Sequence, residues 1–411
     1  MRPLASLAVA TLAAGALVAV ACQSDRLVSP AADTTTAVGN DLQAFQDGNG
    51  IEPFAPYAAG LRVMTYNVYL GTDLEPLLGA TDEQGFLTAA VRAYAELQQT
   101  DFPSRAGKIA DQIAKVRPDV VGLEEAAIWS VSAPYDPTPP GQPSAPFVVQ
   151  YDFLKLVLRA LKARGLDYVA AAADTTSDVA APVATAFGSD GTPTAYALVR
   201  FQDRDAVLVR KGVRFSDAQH GVYQTYLPLT MLEQETGIYN GWSSVRATVD
   251  GRAFRFVATH LNAEYGPVNN GQAQELMGLL QAETAPVVLV GDFNSGPGVT
   301  SDFVDTYGIV TGAGFTDLWP VARPHDPGLT NGPADGVGRL NKAGVLVPYP
   351  KLHFTTRVDL VLVRDALGVP HRVEAAIFGD QKSDRTAAGL WPSDHAAVGM
   401  VFELPAPLAH R

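Results

Sequence analysis

Six residues, Ala285-Pro286-Val287-Val288-Leu289-Val290, run straight into Gly291-Asp292-Phe293-Asn294. A short apolar run, rich in β-branched residues and closed by glycine, reads as a buried strand. A strand of this kind must be covered on both faces, so the chain is expected to be layered. It also ends by presenting an acid and an amide, one residue apart. A turn accounts for such a pair taken alone, because Asp and Asn side chains bond their own backbone. The other strands of the chain change that reading.

Order is expected from Leu61 onward, where Leu61-Arg62-Val63-Met64-Thr65-Tyr66-Asn67-Val68 alternates like a strand. A helix follows over residues 105–116, with Ile109, Ile113 and Val116 on one face, Pro103-Ser104 as its start and Pro118 as its stop. Asp119-Val120-Val121-Gly122-Leu123-Glu124-Glu125 is then a buried strand that ends in acids. Further strands are expected at 205–210, 244–250, 253–259, 286–291, 358–363 and 396–403, and helices at 151–164 and 272–283. Asp250-Gly251 is a hairpin signal. Residues 134–146, 173–194 and 322–350 read as loops. Hairpins mixed with helices predict an α/β fold of two mixed sheets with helices outside.

Six of these strands deliver polar residues unsuited to a core: Asn67, Glu125, His260, the Asp292/Asn294 pair, Asp359, and the Ser393-Asp394-His395 run. Each has an ordinary explanation alone. Together they do not, because burying so many charges without partners is costly. One shared site resolves this. A hard divalent cation would satisfy Glu125 and Asn67 through oxygen, with carboxylates and histidines around it.

The set and its order resemble the endonuclease/exonuclease/phosphatase superfamily, through TYNVYLG (65–71), DVVGLEEA (119–126), ATHLNAE (258–264), VGDFNS (290–295), RVDLVLV (357–363) and PSDHAAV (392–398). The resemblance implies a four-layer α/β sandwich, a divalent metal (Mg²⁺, with Mn²⁺ or Ca²⁺ as alternatives) and phosphoester hydrolysis. It implies Glu125 as metal ligand, with Asn67 and Asp394 beside the metal. It implies that His260 contacts the phosphate and protonates the leaving group, and that Asp292 orients or deprotonates water. Asn294 is implied to steady the transition state, and Asp359 to fix the tautomer of His395. Whether His395 or Asp292 is the working base stays open. The family pattern has Gln where Glu124 stands; an added acid there would tighten metal binding or merely stand exposed. Arg204, just before a strand, is expected either to contact the phosphate or to form a surface ion pair.

Charge narrows the substrate. The net charge is −13, with no Lys/Arg run, which argues against tight nucleic-acid binding. The expected substrate is a phosphoester, either nucleic acid or a phospholipid head group, the latter on a likeness to the bacterial sphingomyelinase branch. A different class, a non-catalytic surface lipoprotein that binds a partner, would be signalled by loss of a motif, and every motif is present. The chain opens with Arg2 and an Ala-rich apolar run into Ala19-Val20-Ala21-Cys22. This resembles a bacterial lipoprotein signal over residues 1–21, with Cys22 lipidated and 22–60 a tether ahead of a domain at 61–404. Anchoring in the cell envelope, at the outer membrane, is expected, with a secreted or periplasmic protein as the alternative, and the protein is expected to be a monomer. Cys22 is the only cysteine, so no disulfide forms within the chain.

Overall fold

The computed structural model describes residues 60–136, 143, 145–231, 234–298, 305–332 and 336–405. The expected leader, Cys22 and nearly all of the tether lie outside them. Along the chain come β1 (Leu61–Asn67), helices α1 (Glu83–Gln99) and α2 (Phe102–Val116), β2 (Val120–Glu124), β3 (Ile128–Tyr135), β4 (Val148–Asp152) and helix α3 (Phe153–Lys162). Next are β5 (Tyr168–Ala173), β6 (Ser177–Phe187), β7 (Pro193–Asp203), β8 (Ala206–Arg210), β9 (Arg214–Val222), β10 (Gly241–Val249) and β11 (Arg252–His260). Helix α4 (Gly266–Leu280), β12 (Val287–Asp292), β13 (Asp359–Arg364), β14 (His371–Phe378) and β15 (Ala397–Glu403) complete the frame.

One sheet has the order β14-β15-β1-β2-β8-β5. A second runs β13-β12-β11-β10-β9, with Thr316–Asp317 on its edge. Both are mixed: β1–β2 and β11–β12 pair in parallel, and their neighbours pair antiparallel. The pleat then sorts the side chains. In β12, Val288 and Val290 face the space between the sheets with Val63, Phe256 and Val361. Val287 and Leu289 face the other way, onto Ala273 and Leu276 of α4. On the far side, Met64, Val121 and Leu208 meet Ile109, Ile113 and Val157 of α2 and α3. Each such buried aliphatic contributes about 1.5–3 kcal/mol. The layers are therefore helix, sheet, sheet, helix, the expected sandwich. Asp250 and Gly251 both take positive φ between β10 and β11, as a two-residue hairpin turn requires.

Three expectations need correction. Residues 173–194 are not mainly loop: β6 and β7 form a long hairpin in a third sheet, of order β4-β3-β7-β6. Its Ala-rich sequence and Pro182 weaken the strand signal, and β6 tolerates proline because it is an edge strand. Residues 322–350 are not a free surface loop. Val337 is fully buried, and with Tyr69, Leu352, Leu390 and Trp391 it forms a small core beside the site. A short hairpin, Gly338–Leu340 with Leu346–Pro348, closes it. Helix α4 starts six residues before Gln272, with Pro267 in its first turn. Gly and Asn there hide the helix from propensity, while buried Asn269 bonds to the carbonyls of Asn262 and Phe293.

Candidate active site

The strand ends converge at one rim of the sandwich. Asn67 closes β1 and Asp292 closes β12, and the facing sheets bring them together: Asn67 Nδ2 donates to Asp292 Oδ2 at 3.0 Å and to Glu125 Oε1 at 2.8 Å. Asn67 Oδ1 accepts from the Tyr69 N–H. Glu125 follows β2 in the left-handed region, at φ +59°. That conformation is costly for a non-glycine residue and turns the carboxylate out of the strand's pleat. Its second oxygen accepts from the Leu70 N–H at 2.7 Å. Burial pushes the Glu125 carboxyl up to about 7, against the pull of His260, with Asp394 adding to the rise.

Two histidines flank Asp292. His395 Nδ1 lies 2.9 Å from Asp359 Oδ2, and its Nε2 is 3.6 Å from Asp292 Oδ2. Burial pulls the His395 imidazolium down, but the Asp359 and Asp292 carboxylates outweigh it and hold the group well above its ordinary value. His260 Nε2 lies 3.8 Å from Asp292 Oδ2 and 3.2 Å from Asn294 Nδ2. Asp292 is buried, which opposes its charge, yet His395 and His260 keep it below the usual carboxylate range. Its Oδ1 accepts from the Asn294 N–H at 2.9 Å. Asn294 sits at φ +47°, a conformation that asparagine tolerates, and Phe293 between the two points into the outer core. Asp394 accepts from the Gly336 N–H at 2.8 Å.

The structure thus gathers Asn67, Glu125, His260, Asp292, Asn294, Asp359, Asp394 and His395 around one cleft. It does not bring Arg204 there. Arg204 Nη2 pairs with Asp152 Oδ1 at 2.7 Å, and its Nε donates to the Ala126 carbonyl. It does not line the cleft, and the ion pair it makes is mostly buried rather than at the surface. Glu124 is neither exposed nor at the metal side. It is fully buried between the sheets, where Thr65 donates to it, and burial holds its carboxyl well above the usual range.

Three residues were not foreseen. Asp205 Oδ1 lies 3.9 Å from His260 Nδ1, and Asn331 Nδ2 lies 2.6 Å from His395 Nε2. Asp205 stands next to Arg204 in Asp203-Arg204-Asp205, and its place just ahead of an apolar strand was the signal. Asn331 sits in a Gly/Pro-rich stretch without periodicity, which carries none. The third is Arg105, fully buried on the apolar face of α2, where it donates to the carbonyls of Val68, Tyr69, Thr100 and Pro392.

The cleft, of about 570 Å³, is lined by Asp73, Glu75, Glu125, Asp203, Glu264, Asp292 and Asp394, with no lysine or arginine among the described lining residues. Asp292, Asp359 and His395 also place donor atoms within 4.8 Å of one another. A hard divalent cation fits the carboxylates of Glu125 and Asp394, which accept from the uncharged donors Asn67, Leu70, Gly336 and Ser393 in a cleft with no lysine or arginine in its described lining.

A model of the endonuclease/exonuclease/phosphatase family matches residues 64–395. The chain belongs to that family. Among solved structures the chain is similar to TDP2 from Caenorhabditis elegans (18% identity, TM-score 0.44, 84% of this chain and 75% of that one). It also resembles Danio rerio TDP2 complexed with a single-strand DNA product (13%, TM-score 0.46, 84% and 100%). A mannosyl-6-phosphatase from Bacteroides thetaiotaomicron is similar too (14%, TM-score 0.41, 84% and 100%). Likenesses this distant speak to no substrate. No curated protein matches the chain in sequence. Among the described residues no helix is long and apolar enough to cross a membrane.

Proposed function

We propose that this family member hydrolyses phosphodiesters with a divalent cation, Mg²⁺ first among candidates. One observation carries the reading: an ionised Asp292 stands between two histidines, one of them locked by Asp359, in a cleft whose described lining has seven carboxylates and no lysine or arginine. A phosphate entering among those carboxylates meets repulsion that a bound cation would offset. Glu125, Asn67 and Asp394 would hold that cation, which would polarise a phosphoryl oxygen and offset its developing charge.

The chain's own residues supply the proton transfers. Asp359 holds the Nδ1 proton of His395 and so fixes its orientation. Asp292, kept ionised by its neighbours, takes a proton from the attacking water, whose oxygen forms the new bond to phosphorus. The P–O bond to the leaving group breaks, and His260 gives that oxygen a proton. Asn294, held by the Leu261 carbonyl and close to His260, presents its amide to the phosphate as charge develops. Lipid attachment at Cys22 in the envelope is proposed from the sequence; Cys22→Ser moving the chain from membrane to soluble fractions checks it.

Turnover of bis(4-nitrophenyl) phosphate by Asp292→Asn and His395→Ala tests the site. A general base contributes about 10²–10⁴-fold and His395 is the neighbour that most keeps Asp292 ionised, so each variant is expected to lose at least about 10²-fold in kcat while keeping its circular dichroism spectrum. Near-normal turnover in either would overturn the assignment.

A further inference from the structure

The cleft does not end at the catalytic groups. It continues along β6 and β7, where alternate residues of the two paired strands face the same space. The pairs change character step by step. Ser177 opposite Asp203 comes first, beside Glu125 and His260. Val179 opposite Phe201 is next, then Ala181 opposite Val199. From the first pair to the third the strands rise about 13 Å. Leu77 lines the same space, as does Trp129 of the neighbouring strand β3, paired with Phe201, its indole N–H already satisfied by the Leu70 carbonyl. Beyond the first pair the β6 and β7 side chains that line the cleft are apolar.

The cleft also carries Asp73, Glu75 and Glu264 in its lining, close enough that, after burial, the first two acids raise the carboxyl of Glu264. A second phosphate would meet repulsion there. Phe201, Val199 and Trp129 are buried against the core, and Val179 and Ala181 remain half-buried in the cleft, apolar surface that an apolar group would cover.

Resting on the phosphoester-hydrolase reading, we propose that one ester arm of the substrate is an apolar group that lies along the β6–β7 chamber while its phosphate sits among Asp292, His260 and His395. The substrate is an amphiphilic phosphodiester rather than a polynucleotide. The apolar arm comes either from an aliphatic lipid-like chain or from an aryl group.

Calorimetric titration of the full chain with alkylphosphonates at saturating Mg²⁺ tests this without requiring turnover. Each methylene that reaches the chamber tightens binding by about fourfold, so hexylphosphonate is expected to bind at least about fiftyfold more tightly than methylphosphonate. Ala181→Phe, which fills the chamber, is expected to flatten the ratio of the two constants within one preparation. Val199→Ser, smaller and polar, should lower the same ratio if the phenylalanine variant does not fold. Tighter binding of hexylphosphonate than of an area-matched arylalkylphosphonate assigns a lipid-like chain, and the reverse assigns an aryl arm. Methylphosphonate binding with no dependence on chain length would overturn this proposal and leave the hydrolase reading standing. Tighter binding of a 5′-phosphorylated dinucleotide than of hexylphosphonate would also overturn it. Failure of every phosphonate to bind would defeat the hydrolase reading itself.

Discussion

Replacing Arg105 by methionine should loosen the site without touching it. The guanidinium is fully buried and makes four charged hydrogen bonds of 2.9–3.1 Å, to the carbonyls of Thr100, Val68, Pro392 and Tyr69. It also lies over the rings of Phe102 and Tyr69. Four such bonds are worth about 6–12 kcal/mol gross. Against them stands the desolvation of the cation, several kcal/mol, which also pulls its pKa down to about 10. The difference leaves a net loss of about 3–5 kcal/mol in Arg105→Met. For a domain spanning 64–395, an unfolding entropy of about 2.1 cal/mol/K per residue converts this to a fall of about 4–7 °C in Tm. The loss should reach function, because Val68 follows Asn67 and Pro392 lies two residues before Asp394. Half-saturation by Mg²⁺ is therefore expected to rise about tenfold, as when a group that holds metal ligands in place is lost. Arg105→Lys keeps the charge but not the fork, and should show most of both effects. Thermal melts and Mg²⁺ titrations of activity read the two consequences. A methionine variant that melts with the wild type and takes Mg²⁺ at the same concentrations refutes the reasoning.

Asp359→Asn should lower kcat by about 10²–10⁴-fold with little change in KM, since it frees the tautomer of His395 but touches no substrate; an unchanged kcat would remove Asp359 from the mechanism. Metal-free protein should melt lower at pH 8 than at pH 5.5. Glu125 and His395 both hold their protons more tightly folded than unfolded, so their contribution is complete below the unfolded pKa and drains as pH rises through the folded value. Mg²⁺, which needs Glu125 ionised, should raise Tm more at pH 8 than at pH 5.5, and differential scanning calorimetry showing the reverse would contradict this. Arg204→Ala should keep KM while losing about 1–3 kcal/mol of stability, because Asp152 then remains mostly buried without its arginine; a large rise in KM would restore Arg204 to the phosphate.

What the sequence makes legible follows from where the physics is local. β12 announces itself because Val287 to Val290 are buried on both faces, and the β10–β11 turn because Asp250-Gly251 supplies two positive φ values. The site residues were legible because burial of charge is costly, and so many at strand ends needed a common reason. β6 was hidden because alanine packs well only when a neighbouring strand and the cleft decide its surroundings. Asn331 reaches His395 because it bridges to Thr356 and because the Ala396 N–H donates to the Thr330 carbonyl, long-range pairings that no window of sequence contains. Arg105 was a missed inference rather than a hidden one. It falls four residues before Ile109, on the same buried stripe, where a charge had to find partners. Arg204 misled for the opposite reason: a basic residue near the site drew attention from Asp205 beside it.

The central claim is that Glu125 and its neighbours hold the cation on which hydrolysis depends. Stripping the full chain with EDTA and titrating Mg²⁺ back, with bis(4-nitrophenyl) phosphate as substrate, tests it for wild type and Glu125→Gln in parallel. The expected result is no turnover in the stripped enzyme, saturable recovery with Mg²⁺, and a half-saturation at least about tenfold higher in Glu125→Gln. Full activity in EDTA, or superimposable titrations of the two proteins, would contradict it.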